Sequence, residues 1–266
     1  MLGYQVGFIG AGNMASAILG GALRRSVLRP ENVYLSNPHL EKTEPFRVQG
    51  VHVTTSNAEV AQQAGIVVLA VKPQKFDEVL PELAPYLTGK CVVSIAAGIS
   101  VEYIKSQLPG ACVMRAMPNT PLLVGKGVTA LVEAPDVPRP YFDAVNELFS
   151  AAGETILVPE ELINPVIAVS GSSTAYFFRI AAAMAAQGVK QGLEPAQAIR
   201  LAALSMEGSA AMLLKSGKSP EELTRQVCSP GGTTLAALTA FDDGDLEGMM
   251  AEAMTRCVKR AEELGR

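Results

Sequence analysis

The chain has only two histidines, His39 and His52, and four widely separated cysteines, Cys91, Cys112, Cys228 and Cys257. None of them falls at a Cys-x-x-Cys or mixed Cys/His spacing, so a metal centre and a Ser-His-Asp triad are both poorly supplied. His52, in the short run Val51-His52-Val53, reads as a strand residue rather than a base. The cysteines read as reduced core or near-site residues of a cytoplasmic protein. There is no basic cluster and the formal net charge is −4, which argues against nucleic acid as the main partner. Small anions are compatible with that charge, because backbone donors bind them locally. Internal repeats and low-complexity segments are also missing. Charge is absent over residues 1–23, but six glycines and no basic n-region set this stretch apart from a signal or membrane segment. A second apolar stretch, residues 162–189, is interrupted by Arg179 and holds Asn164, Pro165 and four hydroxyl residues within 170–174. It is expected to be a buried helix forming a subunit interface, not a membrane span.

What the chain does have is organised around residues 6–15, VGFIGAGNMA. Val6, Phe8 and Ile9 form an apolar strand, and Met14, Ala15, Ile18, Leu19, Ala22 and Leu23 recur on one helical face. Between them, Gly10 permits a tight turn, Gly12 lets a pyrophosphate approach the backbone, and small Ala15 lets the helix pack on its strand. N–H groups at the helix start would face the phosphates. The plain alternative is a turn that merely joins strand to helix; the flanking pattern favours a dinucleotide site.

Further apolar runs follow at residues 33–36, 51–53, 66–71, 91–95 and 112–117, then 128–132 and 155–158 around a helix at 141–151. Thr55-Ser56-Asn57 caps a helix through Ala64. The run at 33–36 ends in Ser36-Asn37 where an NAD-specific site would offer a carboxylate, so the neutral end, with Lys42 nearby, favours NADP(H) and leaves NAD(H) as the second choice. Residues 66–71 end in Lys72-Pro73, residues 91–95 in Ala96-Ala97-Gly98, and residues 112–117 in Pro118-Asn119-Thr120-Pro121. These ends are expected at one crevice on the carboxyl edge of a doubly wound sheet. Beyond residue 160 no strand is evident, and long helices are expected at 162–192, 195–215 and 246–264, with a shorter one opened by the Ser219/Glu222 capping box. The expected organisation is therefore a Rossmann-like α/β domain over 1–160 and an all-α domain over 161–266. One island interrupts the helices: Cys228-Ser229-Pro230-Gly231-Gly232-Thr233-Thr234. It reads equally as a carboxylate-binding nest of backbone donors or as a helix-helix turn with a threonine N-cap.

Taken in order, FIGAGNM at 8–14, AVKP at 70–73, AAG at 96–98, MPNTP at 117–121, SGS at 170–172, Ala175-Tyr176 and SPGGTT at 229–234 closely resemble pyrroline-5-carboxylate reductase. The resemblance spans almost the whole chain, and the order of AVKP, MPNTP and SPGGTT is far more specific than the glycine fingerprint. It implies an NAD(P)-binding domain followed by a helical dimerisation domain, with the active site where the two meet and homodimers that often assemble further. It also implies Ile9, Gly10, Ala11, Gly12, Asn13 and Met14 along the pyrophosphate, Ser36 near the adenosine phosphate and Asn57 near the adenosine. Ala70, Val71, Lys72 and Pro73, with Ala96 and Ala97, would flank the nicotinamide and its ribose. Gly231, Gly232, Thr233 and Thr234 would hold substrate, the Thr234 hydroxyl lying near the ring nitrogen. The family usually reads SGSGPAY, where this chain has Ser173-Thr174 in place of Gly-Pro. Cys228 stands where threonine or serine is common, and Asp243-Gly244-Asp245 replaces a Gly-Gly-Phe.

The reaction so implied is hydride transfer to the cyclic imine of pyrroline-5-carboxylate, giving L-proline. A protonated imine accepts hydride far better than a carbonyl, so a site without His or Lys in its substrate loop suffices, Thr234 donating or relaying a proton. Lys72 is expected at the cofactor ribose or a domain contact rather than as the acid. Asn119 is expected to position substrate or nicotinamide. Arg179 in an apolar helix would mark an interface pair or the cofactor mouth. Two other readings are a β-hydroxyacid dehydrogenase, which should carry a lysine in the first helix after the boundary where 162–178 has none, and a non-catalytic NADP sensor, which an eroded nest would favour.

Overall fold

The structure, a computed structural model, describes residues 2–265. The first half alternates strands and helices: β1 Val6–Ile9, α1 Asn13–Arg24, β2 Val33–Ser36, α2 Glu44–Arg47, β3 His52–Thr54, α3 Asn57–Gln63, β4 Ile66–Leu69 and α4 Phe76–Leu87. It continues with β5 Cys91–Ser94, α5 Val101–Gln107, β6 Cys112–Pro118, β7 Gly127–Val132, α6 Arg139–Ser150 and β8 Gly153–Val158. The eight strands form one sheet in the order β3-β2-β1-β4-β5-β6-β7-β8. β1 to β6 pair in parallel, β7 runs antiparallel to β6, and β8 is parallel to β7.

The unbroken apolar strands have a simple cause. Ile66 and Val68 of β4 enter the core beneath α1 and α6, with Phe8, Val93, Ile18 and Phe149. Val67 and Leu69 enter the opposite core beneath α3, α4 and α5, with Ile9, Val92, Leu80 and Ile104. Both faces of the strand are covered, so neither can be polar. α4 forms despite Pro81 and Pro85 inside it, because buried Phe76, Leu80, Leu83 and Leu87 hold it on the sheet.

After Val158 the chain is helical: α7 Ile163–Val166, a π-turn over Ile167–Gly171, α8 Ser173–Lys190, α9 Pro195–Lys215, α10 Pro220–Val227, α11 Thr233–Asp243 and α12 Leu246–Glu263. By internal contacts the chain divides into two compact units, one holding the residues up to Thr174 with those from Arg256 onward, the other Ala175–Thr255. α10 opens on the expected capping box of Ser219 and Glu222.

The apolar stretch after residue 160, expected to be buried at a subunit interface, lies largely uncovered in the single chain. Glu160–Lys190 is long and apolar enough to cross a membrane by length and composition, yet only 17% of its most apolar window is buried in the chain. Within α8 Ala181 alone is buried, while Phe177 and Phe178 are 53% and 70% exposed. The expected buried helix is thus an exposed one in the single chain. Arg179 is exposed as well and carries no burial cost.

Candidate functional site

The expected cofactor residues meet along one edge of the sheet. The ladders align Ile9 with Ser36 and with Leu69, Leu69 with Ser94, and Ser94 with Arg115. β1, β2, β4 and β5 end at this level while β6 runs on to Pro118, and the β1/β4 boundary is where strand order reverses, the usual place for a nucleotide in such sheets.

At the centre, Gly10 adopts a φ of +102° and donates its N–H to the Ser36 carbonyl (2.9 Å). A Cβ there would lie 2.6 Å from the Ala70 carbonyl oxygen, so only glycine fits between the two loops. Ala70 in turn donates its N–H to the Ile9 carbonyl (2.9 Å). Ala11 is buried, and Gly12 is the N-cap of α1, with open space where a Cβ would stand. No side chain caps this helix, and its first turn carries no acid. Its first backbone bond runs from Ser16 to Gly12 (2.9 Å), leaving the N–H groups of Asn13, Met14 and Ala15 without helical partners. Open space in front of unpartnered donors suits a pyrophosphate.

At the end of β2, Ser36 is fully buried and its hydroxyl donates to Asn57 Oδ1 (2.8 Å), while Asn57 Nδ2 donates to Glu82 (3.1 Å). Ser36 and Asn57 therefore form one hydrogen-bonded unit. On the other side Val71 and Pro73 are partly buried and Lys72 is exposed, its residue opening a 3-10 turn over Pro73–Lys75. Ala96 is buried and donates its N–H to Ser94 Oγ (3.2 Å), a local serine turn that sequence reasoning missed although Ser94 two residues before Ala96 is its signal. Ala97 is partly buried, and Gly98 has a φ of +76° with the Leu264 carbonyl oxygen 2.8 Å from where its Cβ would be.

Other links had no sequence signal. Buried Arg115 pairs with Glu160 (3.4 Å), whose same oxygen accepts the Val101 N–H at the start of α5 (2.8 Å). Burial pulls the Arg115 guanidinium below its ordinary range, and Glu160 opposes that. Asn119 is buried and binds Val128 and the Ser170 carbonyl, and Ser172 Oγ lies 3.3 Å from Cys257 Sγ.

In the other unit, Gly231 has a φ of +70° and Gly232 is the N-cap of α11, with no side-chain cap. The threonine N-cap alternative is thereby removed: Thr233 and Thr234 lie in the first helical turn. The first bond of this helix runs from Ala236 to Gly232 (3.3 Å), which leaves the N–H groups of Thr233, Thr234 and Leu235 available. Thr233 is exposed; Thr234 is partly buried and lines an apolar groove of about 330 Å³ with Met212, Leu213, Leu223 and Leu238. A separate concavity of about 610 Å³ lies between residues 133–139 and Phe142 and Leu157. It follows the end of β7 and shares no residue with the turns after β1, β4 and β5.

The strand order and the carboxyl-edge residues define a dinucleotide-binding protein of Rossmann-like build. Residues 5–98 match the family described as NADP oxidoreductase coenzyme F420-dependent, and residues 160–264 match pyrroline-5-carboxylate reductase dimerisation. The chain is 39% identical to the pyrroline-5-carboxylate reductase of Escherichia coli K12, with 98% of each chain covered, and 37% identical to that of Corynebacterium melassecola, again with 98% of each covered. Among solved structures it superposes on a pyrroline-5-carboxylate reductase from Coxiella burnetii with a TM-score of 0.91 at 35% identity, covering 99% of both. The Plasmodium falciparum pyrroline carboxylate reductase with NADP bound gives 0.92 at 27% identity, covering 100% of both. The chain belongs to the pyrroline-5-carboxylate reductase family.

Proposed function

We propose that this chain reduces 1-pyrroline-5-carboxylate to L-proline with NADPH, the last step of proline biosynthesis. The observation that carries the substrate assignment is the bare start of α11, where Thr233, Thr234 and Leu235 offer N–H groups behind the left-handed Gly231. Such a cluster of donors suits a carboxylate. The cofactor, when bound, supplies a hydride to the imine carbon. The chain holds the pyrophosphate at Gly10, Ala11, Gly12, Asn13 and Met14, and the adenosine at the Ser36–Asn57 unit. The absence of a carboxylate at the end of β2 supports NADPH over NADH. Residues 70–73 with Ala96 and Ala97 hold the nicotinamide side. Gly231, Gly232, Thr233 and Thr234 fix the substrate carboxylate, and the Thr234 hydroxyl donates or relays the proton taken up by the ring nitrogen.

The functional boundary is set near residue 160, supported by the end of the last strand at Val158. Residues beyond it form a homodimer, which the exposed apolar side chains of α8 and α9 support. A cytoplasmic location is supported by four cysteines that are all free thiols.

The test is steady-state oxidation of NADPH by the purified protein with pyrroline-5-carboxylate, beside NADH, and beside a 3-hydroxy acid in the reverse direction. Imine-dependent, saturable oxidation with NADPH preferred is expected. Thr234→Ala should lower kcat by at least about a hundredfold with NADPH affinity unchanged. Unchanged turnover removes Thr234 from the mechanism, and tight NADPH binding without turnover on any imine replaces the reductase with a sensor.

A further inference from the structure

Asn119 follows β6 directly, is 8% exposed, and has every polar group engaged. Its N–H donates to the Val128 carbonyl (3.2 Å) and its carbonyl accepts from Leu122 (3.2 Å). Its Oδ1 accepts the Val128 N–H (2.9 Å), and its Nδ2 donates to the Ser170 carbonyl (3.2 Å). The partners fix the amide's orientation: a backbone N–H faces one side-chain atom, which must be oxygen, and a backbone carbonyl faces the other, which must be nitrogen. The two bonds to Val128 prolong the β6–β7 pairing past its last register pair, Pro118 with Thr129. The bond to Ser170 crosses to the π-turn.

That turn has a local cost and local supports. The Ser172 N–H reaches back five residues to the Ile167 carbonyl (2.8 Å), a wider winding that is rare outside single turns and frequent beside functional sites. Met117 packs under it, its Cε lying 3.3 Å from where a Cβ on Gly171 would stand. Ile167, Met117 and Ala97 belong to one apolar cluster. Ala97 thus packs against the cluster to which Ile167 of this turn belongs.

Resting on the reductase reading above, we infer that Asn119 is a positioning residue: its amide holds the Ser170 carbonyl and hence the π-turn supporting the Ala97 loop. It governs turnover through that turn and is not a ligand of the imine.

The test uses the full-length protein. Asn119→Asp keeps an oxygen for the Val128 N–H but sets a second oxygen against the Ser170 carbonyl, so it breaks the turn contact and spares the sheet contact. Asn119→Ser withdraws the amide without adding charge and serves if the aspartate variant does not fold. Hydrogen exchange of residues 167–174 should accelerate at least tenfold while residues 112–118 and 127–132 stay protected. With NADPH and pyrroline-5-carboxylate, kcat should fall at least tenfold while KM for the imine moves less than threefold. Unchanged exchange over 167–174, or a large rise in KM at constant kcat, overturns the inference. Failure of the wild-type protein to reduce the imine would instead strike the functional reading, since the exchange experiment needs no turnover.

Discussion

The two compact units treat apolar side chains in opposite ways. The unit containing the sheet buries Phe8, Ile18, Leu69, Leu80 and Phe149 completely, on both faces of its strands. In Ala175–Thr255 the buried apolar side chains among the described residues are Ala181, Ala198, Ala202 and Leu223, while Phe177, Phe178, Leu204, Leu214 and Phe241 remain about half exposed or more. Fully burying one large apolar side chain is worth about 1.5–3 kcal/mol, so the first unit holds most of its stabilisation internally. The second leaves as much unclaimed as several such side chains would supply. A sheet covered by helices completes itself; a set of Ala-rich helices with apolar residues on several faces does not.

Phe178→Asp tests this difference most severely. A carboxylate on a 70% exposed ring position costs the single chain little, but a charge in an apolar interface is expected to weaken assembly by at least about 2 kcal/mol, roughly thirtyfold. Sedimentation velocity over a concentration series should show a dimer or larger species for the wild type and a shift towards monomer for the variant. A wild-type monomer would break the comparison outright.

Within the sheet unit, two glycines two residues apart should separate stability from binding. Gly10→Ala forces a Cβ against the Ala70 carbonyl at a φ of +102°, so both stability and NADPH binding should fall, stability by about 2 kcal/mol or more. Gly12→Ala adds a methyl to open space at an extended backbone position, so its melting temperature should hardly move. NADPH affinity should still drop at least tenfold if the pyrophosphate occupies that space, as proposed above. Fluorescence titration and thermal melts, run together, read both quantities. An unchanged affinity in Gly12→Ala would move the phosphate elsewhere.

The difference between the units also marks what could be read from the sequence. β1, β2, β4 and β5 were legible because an unbroken apolar run of four to six residues bounded by glycine, proline or serine is too short for a core helix and too apolar for a loop. The carboxyl-edge residues followed from where those runs stop. α4 was not legible: Pro81 and Pro85 argue against a helix locally, and only the packing of Leu80, Leu83 and Leu87 overrides them. The antiparallel course of β7 left no mark, since period-two patterning is indifferent to strand direction. The contact from Asn119 to Ser170 spans 51 residues and the one from Glu160 to Val101 spans 59, distances over which residue types alone carry no pairing information. What covers the face of α8 was not legible for a related reason: an apolar helix is equally apolar whether its own chain or a second one covers it.

Cys91 sharpens the contrast at the level of one thiol. It is fully buried in β5 opposite Cys112, and burial first, then its neighbour, pushes its pKa up to about 12. The folded pKa lies above the unfolded value near 9, so the stability from keeping this thiol neutral is fully present below pH 9 and is lost as pH rises towards 12. Unfolding free energies of the wild type and Cys91→Ala, compared from pH 8 to 11, should converge as pH rises. Alkylation at pH 8 should modify the partly buried Cys228 before Cys91. Rapid labelling of Cys91 in the folded protein would show that this face of the sheet is less closed than its packing implies.

The smallest expected effect lies at the end of α1. Arg25 is the C-cap, Ser26 follows with a φ of +55°, its N–H donates to Leu23 (3.0 Å), and the Val27 N–H donates to Ala22 (2.9 Å). This six-to-one and five-to-two pair of bonds is the Schellman ending, whose left-handed residue is ordinarily glycine. Serine there bears the Cβ cost of that conformation, about 1–2 kcal/mol, partly offset because glycine has more freedom to lose on folding. Ser26→Gly should therefore stabilise the protein by about 0.5–1 kcal/mol, read as a raised denaturation midpoint at fixed protein concentration without NADPH. The gain should appear equally in the Phe178→Asp background, since α1 ends within the unit that needs no partner. If it appears only in the assembled protein, the sheet unit is not closed on itself and the contrast between the two units fails at its firmer end.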